Sequence, residues 1–162
     1  VKVRRRLRLH TQPCRRPVEG TDGNASASAI VAILEKYGIM PGVLRLWGTG
    51  TPVREFLWSR DMADASVYVL ENIDFDDVRG TDPEVRNCHI NIGSGVEHTI
   101  AETAALVAKS AGYNGRIEWD STKPDGTMRK LCDVTKIHNL GWRHTVELEE
   151  GIDRLTRWYL ES

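Results

Sequence analysis

Cysteine is scarce in this sequence, and no two cysteines stand at a metal-binding spacing. The three that occur, Cys14, Cys88 and Cys132, are odd in number and widely separated along 162 residues. This scatter excludes a disulfide framework and a C-x-x-C metal pair, and it favours a reducing, cytoplasmic compartment. The five histidines show no metal-ligand spacing either, so the sequence predicts no metal site.

Long apolar runs and an excess of one charge are missing as well. No apolar run approaches the roughly 20 residues that a membrane-spanning helix needs, so we expect no membrane partner. Lys plus Arg number 22 and Asp plus Glu number 23, which gives a formal net charge of −1. This balance excludes a globally basic nucleic-acid binder and a globally acidic protein. The length fits one globular domain.

Charge is distributed unevenly, because the first 20 residues carry seven basic side chains against one acid, Glu19. The basic residues are Lys2, Arg4, Arg5, Arg6, Arg8, Arg15 and Arg16. We interpret residues 1–28 as a disordered or non-homologous segment and residues 29–162 as the folded domain. A basic arm for RNA or a membrane surface is one alternative for the segment, and a targeting peptide is another.

Hydrophobic periodicity and turn signals predict helices and strands that alternate loosely after residue 28. Predicted helices cover 29–37, 59–70 with Ser59 as cap, 99–111, 133–141 with Asp133 as cap, and 147–160. Predicted strands cover 43–47, 53–58, 88–92 and 116–119, and 74–86 and 120–130 are predicted loops. These strands are too few for a complete doubly wound sheet, so the predicted fold class is α/β, as an α+β-like fragment.

Two predicted helices have apolar positions at a spacing that buries one face, and a third begins with a capping signal. The first face comprises Met62, Ala63, Ala65, Ser66, Val69 and Leu70, and the second comprises Leu148, Ile152, Leu155 and Tyr159. Thr99 and Glu102 have the spacing of a capping box. We therefore expect a helix that begins after Thr99.

Signatures of catalysis and cofactor binding are sparse. The sequence has no G-x-S-x-G elbow and no Tyr-x-x-x-Lys pair, so residue patterns assign no catalytic residue. Gly93-Ser-Gly95 lies between a predicted strand and a predicted helix, where a helix N-terminus could bind an anion. A tight turn that leads into the Thr99 cap is the simpler explanation of both glycines.

Two segments carry residues that suit a nucleotide-linked ligand. In Trp47-Gly-Thr-Gly-Thr-Pro-Val-Arg-Glu-Phe-Leu57, the Arg54 guanidinium can bind phosphate and the Trp47 ring can stack on a base or sugar. In Lys123-Pro-Asp-Gly-Thr-Met-Arg-Lys130, Asp125 can accept from hydroxyl or base N–H groups, and Arg129 and Lys130 add donors. Each segment alone could be a solvated turn, whereas together they supply phosphate donors, a stacking face and an acceptor.

These motifs resemble the C-terminal part of the GDP-L-fucose synthase family, which are extended short-chain dehydrogenase/reductases. The resemblance covers about residues 41–161 and includes His89-Ile-Asn-Ile-Gly-Ser-Gly95 and Ser121-Thr-Lys-Pro-Asp-Gly-Thr-Met-Arg-Lys-Leu131. It implies a substrate-binding C-terminal part without a complete Rossmann domain. Family members bind NADP(H) in an N-terminal Rossmann domain and GDP-sugar in a smaller C-terminal domain, and they are commonly homodimers. They epimerise C3 and C5 of a keto sugar and then reduce C4.

The resemblance implies roles for four residues and leaves others unassigned. Trp47, Arg54, Asp125 and Lys130 would contact GDP-sugar, with Arg54 at the diphosphate and Asp125 at guanine or ribose. The family's cofactor loop, its catalytic Ser and Tyr-x-x-x-Lys and its Cys/His pair find no match here. We therefore assign no catalytic or cofactor-binding residue and expect no reductase activity from this chain alone. Two alternatives remain: another NAD(P)-dependent sugar-nucleotide epimerase/dehydratase, and a non-enzymatic fragment or interaction module.

Overall fold

The computed structural model describes residues 25–81 and 84–161, which form short helices and strands in alternation. The helices are α1 (Ala27–Lys36), α2 (Ser59–Asn72), α3 (Phe75–Arg79), α4 (Ile100–Ser110), α5 (Thr135–Asn139) and α6 (Leu148–Glu161). The strands are β1 (Ile39–Met40), β2 (Val43–Trp47), β3 (Val53–Glu55), β4 (Glu97–Thr99), β5 (Arg116–Asp120) and β6 (Arg129–Lys130). The predicted fold class is confirmed as a mixed α/β fragment.

The strands form two separate three-stranded sheets. In the first, β2 is central, antiparallel to β1 and parallel to β5, with Trp47 opposite Asp120. In the second, β3 is central, antiparallel to β4 and parallel to β6. Because β2 and β3 are consecutive, the turn between them carries the chain from one sheet to the other. That turn contains the Gly-Thr-Gly-Thr motif.

A small apolar core lies between helices α2 and α5. Ala65 and Ile137 are fully buried there, and Val134 and Trp142 pack with them. Partly buried side chains that surround this cluster are Leu57, Tyr68, Val69, Ile90 and Ile92. The Trp142 indole N–H donates to Asp64 at 2.9 Å, so the polar edge of this buried ring has a partner.

A buried carboxylate, Asp61, joins helix α2 to the segment that precedes α6. Only 5% of Asp61 is exposed. Its oxygens accept from the Thr145 hydroxyl at 2.8 Å and from the backbone N–H groups of Thr145 and Val146 at 3.1 and 3.0 Å. Burial acts to raise the Asp61 pKa, but these hydrogen bonds outweigh it and place the pKa below its usual value.

Helix α2 buries only part of the face that its apolar residues predict: Ala65 and Val69 pack on the core as expected. Its buried residues are Asp61 and Ala65, whereas Met62 is half-exposed and Leu70 is 85% exposed. The hydrogen bonds of Asp61 orient the helix, and hydrophobic periodicity does not register them. The predicted stripe on α6 is also partly wrong, because Leu155 is exposed.

Residues 88–92 do not form the predicted strand. The segment is connected to the rest of the chain by hydrogen bonds from side chains and not by pairing with a strand. Asn91 Nδ2 donates to Asp133 O at 3.1 Å, and Lys136 Nζ donates to His89 O at 3.0 Å. Its apolar residues Ile90 and Ile92 still pack on the core. The apolar residues of this run therefore predicted its burial correctly, but the predicted pairing with a neighbouring strand is wrong.

Two helix starts and one loop also differ from prediction. Trp58, not Ser59, is the N-cap residue of α2, and Val134 precedes α5 although Asp133 accepts from Thr135 N at 3.0 Å. The predicted loop 74–86 contains helix α3. This helix begins with a capping box between Asp74 and Asp77. Predicted loop 120–130 ends in strand β6. Short elements like these depend on single capping or pairing contacts.

The capping box of α4 is confirmed. Thr99 Oγ1 accepts from Glu102 N at 3.0 Å, and Glu102 accepts from Thr99 N at 2.8 Å. The predicted boundary between residues 28 and 29 falls inside α1, which begins at Ala27. The basic cluster within residues 1–24 lies outside the described residues. Within the described ranges, no helix is long and apolar enough to cross a membrane.

Candidate functional site

The turn between β2 and β3 is held by the Asp125 carboxylate. Asp125 Oδ1 accepts from Thr49 N at 2.8 Å, and Oδ2 accepts from Thr49 Oγ1 at 2.7 Å. The bonds from the Thr49 N–H and hydroxyl lower the pKa of Asp125, which is therefore ionised at neutral pH. This contact fastens the Trp47 segment to the Lys123 segment, two stretches that are distant in sequence.

Gly48 permits this contact in two ways. Its φ is +81°, a left-handed conformation that residues with a Cβ seldom adopt. A Cβ at this position would also collide with Asp125 Oδ1. The glycine therefore supplies both the bend at the end of β2 and the space for the carboxylate.

We expect Gly48→Ala to destabilise the turn more than the matched change Gly42→Ala. Both glycines have positive φ, +81° and +74°, but nothing lies within 4 Å of a Cβ at Gly42. Left-handed backbone strain costs about 1–2 kcal/mol in either variant, and only Gly48→Ala also displaces Asp125. Urea unfolding should rank the variants in that order, with faster amide exchange of Thr49 in Gly48→Ala. Equal effects would contradict the role of the contact.

The same turn occupies the N-terminus of helix α4. Ile100 N donates to Pro52 O and Ala101 N donates to Gly50 O, both at 2.9 Å. The next N–H, that of Glu102, is bound by the Thr99 hydroxyl. The first turn of the helix therefore has no N–H left for an external anion.

The turn Gly93-Ser-Gly95 is also occupied by the chain itself. Glu55 Oε1 accepts from Gly95 N at 2.6 Å, and Glu55 Oε2 accepts from Cys132 N at 3.0 Å. A Cβ at Gly93 would collide with the same carboxylate. An internal carboxylate thus takes the place that an anion would need, and the tight-turn explanation is the one that the geometry supports.

The second sheet separates its charges between two faces. On one face, Arg129 donates to both oxygens of Glu97 at 2.6 and 2.9 Å. The hydrogen bond from Arg129 lowers the pKa of Glu97. Arg129 is therefore engaged in an internal ion pair, and it is not the free phosphate donor that the sequence suggested.

The opposite face of this sheet is purely basic. Arg54 in β3 is paired with His98 in β4 and with Lys130 in β6. Residues paired across adjacent strands project from the same face, so His98, Arg54 and Lys130 form one row, named here the basic row. No carboxylate is within ion-pair distance of Arg54 or Lys130 in the part of the chain that the structure describes.

The turn that contains Asp125 lies next to the basic row, and Asp125 in turn holds the segment that contains Trp47. A Cβ at Gly126 would lie 3.3 Å from Arg54 Nη2, so the guanidinium packs against the turn that contains Asp125. Trp47 is 76% exposed at the end of β2, and Lys123 Nζ lies 5.7 Å from its ring centroid. All four residues predicted for the site are therefore in neighbouring segments.

The sequence analysis did not identify three residues that shape the candidate site. Thr49 positions Asp125, His98 joins the basic row, and Glu55 fills the Gly93–Gly95 turn. The Gly-Thr-Gly-Thr motif was a signal for Thr49, whereas His98 is revealed only by strand register. Among residues 25–81 and 84–161, no three His, Cys, Asp or Glu side chains are grouped as a metal site requires.

Comparison with known proteins shows that the similarity extends beyond the quoted motifs to more than 110 aligned residues. GDP-L-fucose synthase from Escherichia coli (strain K12) is 49% identical over 117 residues, which are 72% of this chain and 36% of that protein. GDP-L-colitose synthase from Yersinia pseudotuberculosis is 35% identical over 119 residues, which are 74% of this chain and 35% of that protein. The predicted resemblance to GDP-L-fucose synthases is confirmed.

Solved structures give the same result for the fold. The GDP-mannoheptose C4 reductase from Campylobacter jejuni, with NADP bound, is 40% identical and superposes with a TM-score of 0.68. The match covers 76% of this chain and 37% of the reductase. The chain thus spans between 35% and 37% of the length of these three relatives. Residues 13–93 match the NAD dependent epimerase/dehydratase family, and the chain belongs to that family.

Proposed function

We propose that this chain forms the GDP-sugar-binding part of an NADP-dependent epimerase and reductase that converts GDP-4-keto-6-deoxy-D-mannose to GDP-L-fucose. The observation that carries the proposal is the position of Arg54 and Lys130 in one row beside the Asp125 turn. Cations without a carboxylate partner suit the two charges of a diphosphate, and an arginine can bind it through two N–H groups.

Trp47 and Asp125 suit the rest of a guanosine diphosphate sugar. The exposed Trp47 ring offers a flat apolar face to a base or a sugar. Each Asp125 oxygen accepts one bond from Thr49, and an ionised carboxylate has about four acceptor positions. Asp125 therefore retains capacity for guanine N–H groups or ribose hydroxyls while Thr49 holds it in place.

The Gly48 turn and the N-terminus of helix α4 do not form a binding loop for the pyrophosphate of NADP. A dinucleotide loop joins a strand to a helix whose N-terminal N–H groups face the pyrophosphate. Here the Gly48 turn leads to strand β3, and the first N–H groups of α4 are bound by Gly50, Pro52 and Thr99. We therefore assign NADP to the proposed whole enzyme, by relation to the family, and to no residue of the described part.

A different GDP-sugar is the second candidate substrate, because the similar proteins include a GDP-L-colitose synthase and a GDP-mannoheptose reductase. Another NAD(P)-dependent sugar-nucleotide epimerase/dehydratase and a non-enzymatic fragment or interaction module remain as alternatives. We further propose a cytoplasmic location, from the cysteine content, and a homodimer as the family's common assembly. No nucleic-acid partner is proposed.

Titration with a panel of nucleotide sugars tests the proposed function. We expect GDP-mannose to bind saturably, with a change in tryptophan fluorescence, and UDP-glucose to bind at least about tenfold more weakly. Hydrogen bonds to a charged acceptor such as Asp125 contribute about 1.5–3 kcal/mol, and uracil does not present the guanine pattern. Calorimetry of the same mixtures provides the affinities.

Each result of the panel has a distinct meaning. Preference for UDP-glucose would move the assignment to another sugar-nucleotide epimerase/dehydratase. Lack of binding by a chain that circular dichroism shows to be folded would contradict a GDP-sugar site in this chain and favour the interaction-module alternative.

A further inference from the structure

We propose that His98 is a proton-dependent third cation of the diphosphate site, so that binding of a nucleotide sugar strengthens as the imidazole becomes protonated. This inference rests on the proposed function. Its basis is the strand register, which places His98 directly opposite Arg54 and completes the basic row. A residue directly opposite on an antiparallel strand has its Cβ about 4.5–5.5 Å away, within reach of one phosphate group.

The second sheet places no carboxylate on the face from which His98 projects. Glu97, which precedes His98 in β4, and Glu55, which is paired with Glu97, project from the other face. Their carboxylates are bound there by Gly95, Cys132 and Arg129. From β3 and β6 the groups that face His98 are Arg54 and Lys130. Both side chains are cations, so an anion that binds between them also lies beside the imidazole of His98.

Helix α4 contributes an opposing charge near His98, the carboxylate of Glu102. The Glu102 carboxylate accepts from the N–H and the hydroxyl of Thr99, and these bonds lower its pKa. Glu102 therefore remains ionised across the range in which imidazoles titrate, and its effect on His98 is constant. A change of affinity with pH then measures the coupling between protonation of the imidazole and binding of the ligand.

The expected size follows from linkage. An opposite charge within about 4–6 Å commonly changes the proton affinity of a titrating group by tenfold or more. Binding and protonation change each other's affinity by the same factor. We therefore expect GDP-mannose to bind about tenfold more tightly when the imidazole is protonated than when it is neutral.

Calorimetric titration with GDP-mannose at about pH 5.5 and about pH 8 tests this proposal. The diphosphate of GDP-mannose is esterified at both ends, so its own charge is the same at both values, unlike that of free GDP. His98→Gln should remove the pH dependence, and His98→Lys should bind tightly at both values. His89→Gln is the matched control, because His89 is an exposed histidine outside the second sheet.

A second readout measures the proton itself. Titrations at the pH where the affinity is midway between its two limits, in two buffers of different ionisation enthalpy, measure proton uptake on binding. The unmodified chain should take up protons, and His98→Gln should take up none. Equal affinity at both pH values, or full pH dependence in His98→Gln, would overturn the role of His98 while leaving the site intact. A folded chain that does not bind GDP-mannose at either pH would instead overturn the proposed function, and this inference with it.

Discussion

Replacing Arg54 with alanine is expected to weaken GDP-mannose binding about 10- to 150-fold, which corresponds to about 1.5–3 kcal/mol for hydrogen bonds to a charged group. Arg54 is half-buried at the centre of the basic row, between His98 and Lys130. Its Nη1 donates to Val53 O at 2.6 Å, and its Nη2 faces the Gly126 turn. The guanidinium is therefore held in place before ligand arrives.

Two further variants separate charge from geometry at Arg54. Arg54→Lys keeps the charge but loses the planar fork, so we expect an affinity between those of the unmodified chain and Arg54→Ala. Arg79→Ala is the control, because Arg79 is an exposed arginine in helix α3 that pairs with Asp76. Affinity of Arg54→Ala within twofold of the control would remove Arg54 from the site. Circular dichroism verifies that each variant is folded.

Replacing Asp61 with alanine is expected to lower the free energy of unfolding by about 3 kcal/mol, because buried donors lose a charged acceptor. Three hydrogen bonds from Thr145 and Val146 end at this carboxylate. Asp61→Asn should cost less, since an amide can accept from the two backbone N–H groups and donate to the Thr145 hydroxyl. Urea unfolding measures both values, and Glu71→Ala, exposed on the same helix, should change stability by less than about 0.5 kcal/mol.

The pH dependence of stability provides an independent test of Asp61. Its folded-state pKa lies below the unfolded value, which is about 3.9 for an aspartate, so its contribution is complete above that pH. The contribution is lost as the pH falls through the folded-state pKa. The stability difference between the unmodified chain and Asp61→Asn should be constant from about pH 5 to 8 and narrow below about pH 4. A difference that grows under acid would contradict this account.

Local signals in the sequence predicted those features that depend on neighbouring residues. The Thr99–Glu102 capping box, strand β2 and strand β5 depend on contacts or propensities within a few positions, and they agree with the structure. Prediction failed where a distant contact decides. Helix α2 is oriented by hydrogen bonds to residues more than 80 positions away. Residues 88–92 are held by the bond from the Asn91 side chain to the Asp133 carbonyl and by the bond from Lys136 to the His89 carbonyl.

The sequence by itself determined the family resemblance, the mixed α/β class and the four residue types that suit a GDP-sugar. The tertiary structure decided which of the candidate groups in the sequence are engaged by the chain itself and which are not. Arg129 is taken by Glu97, and the Gly93–Gly95 turn is taken by Glu55, whereas His98 joins Arg54 and Lys130. The physical reason is that strand register sets which side chains share a face, and register forms between strands that lie tens of residues apart.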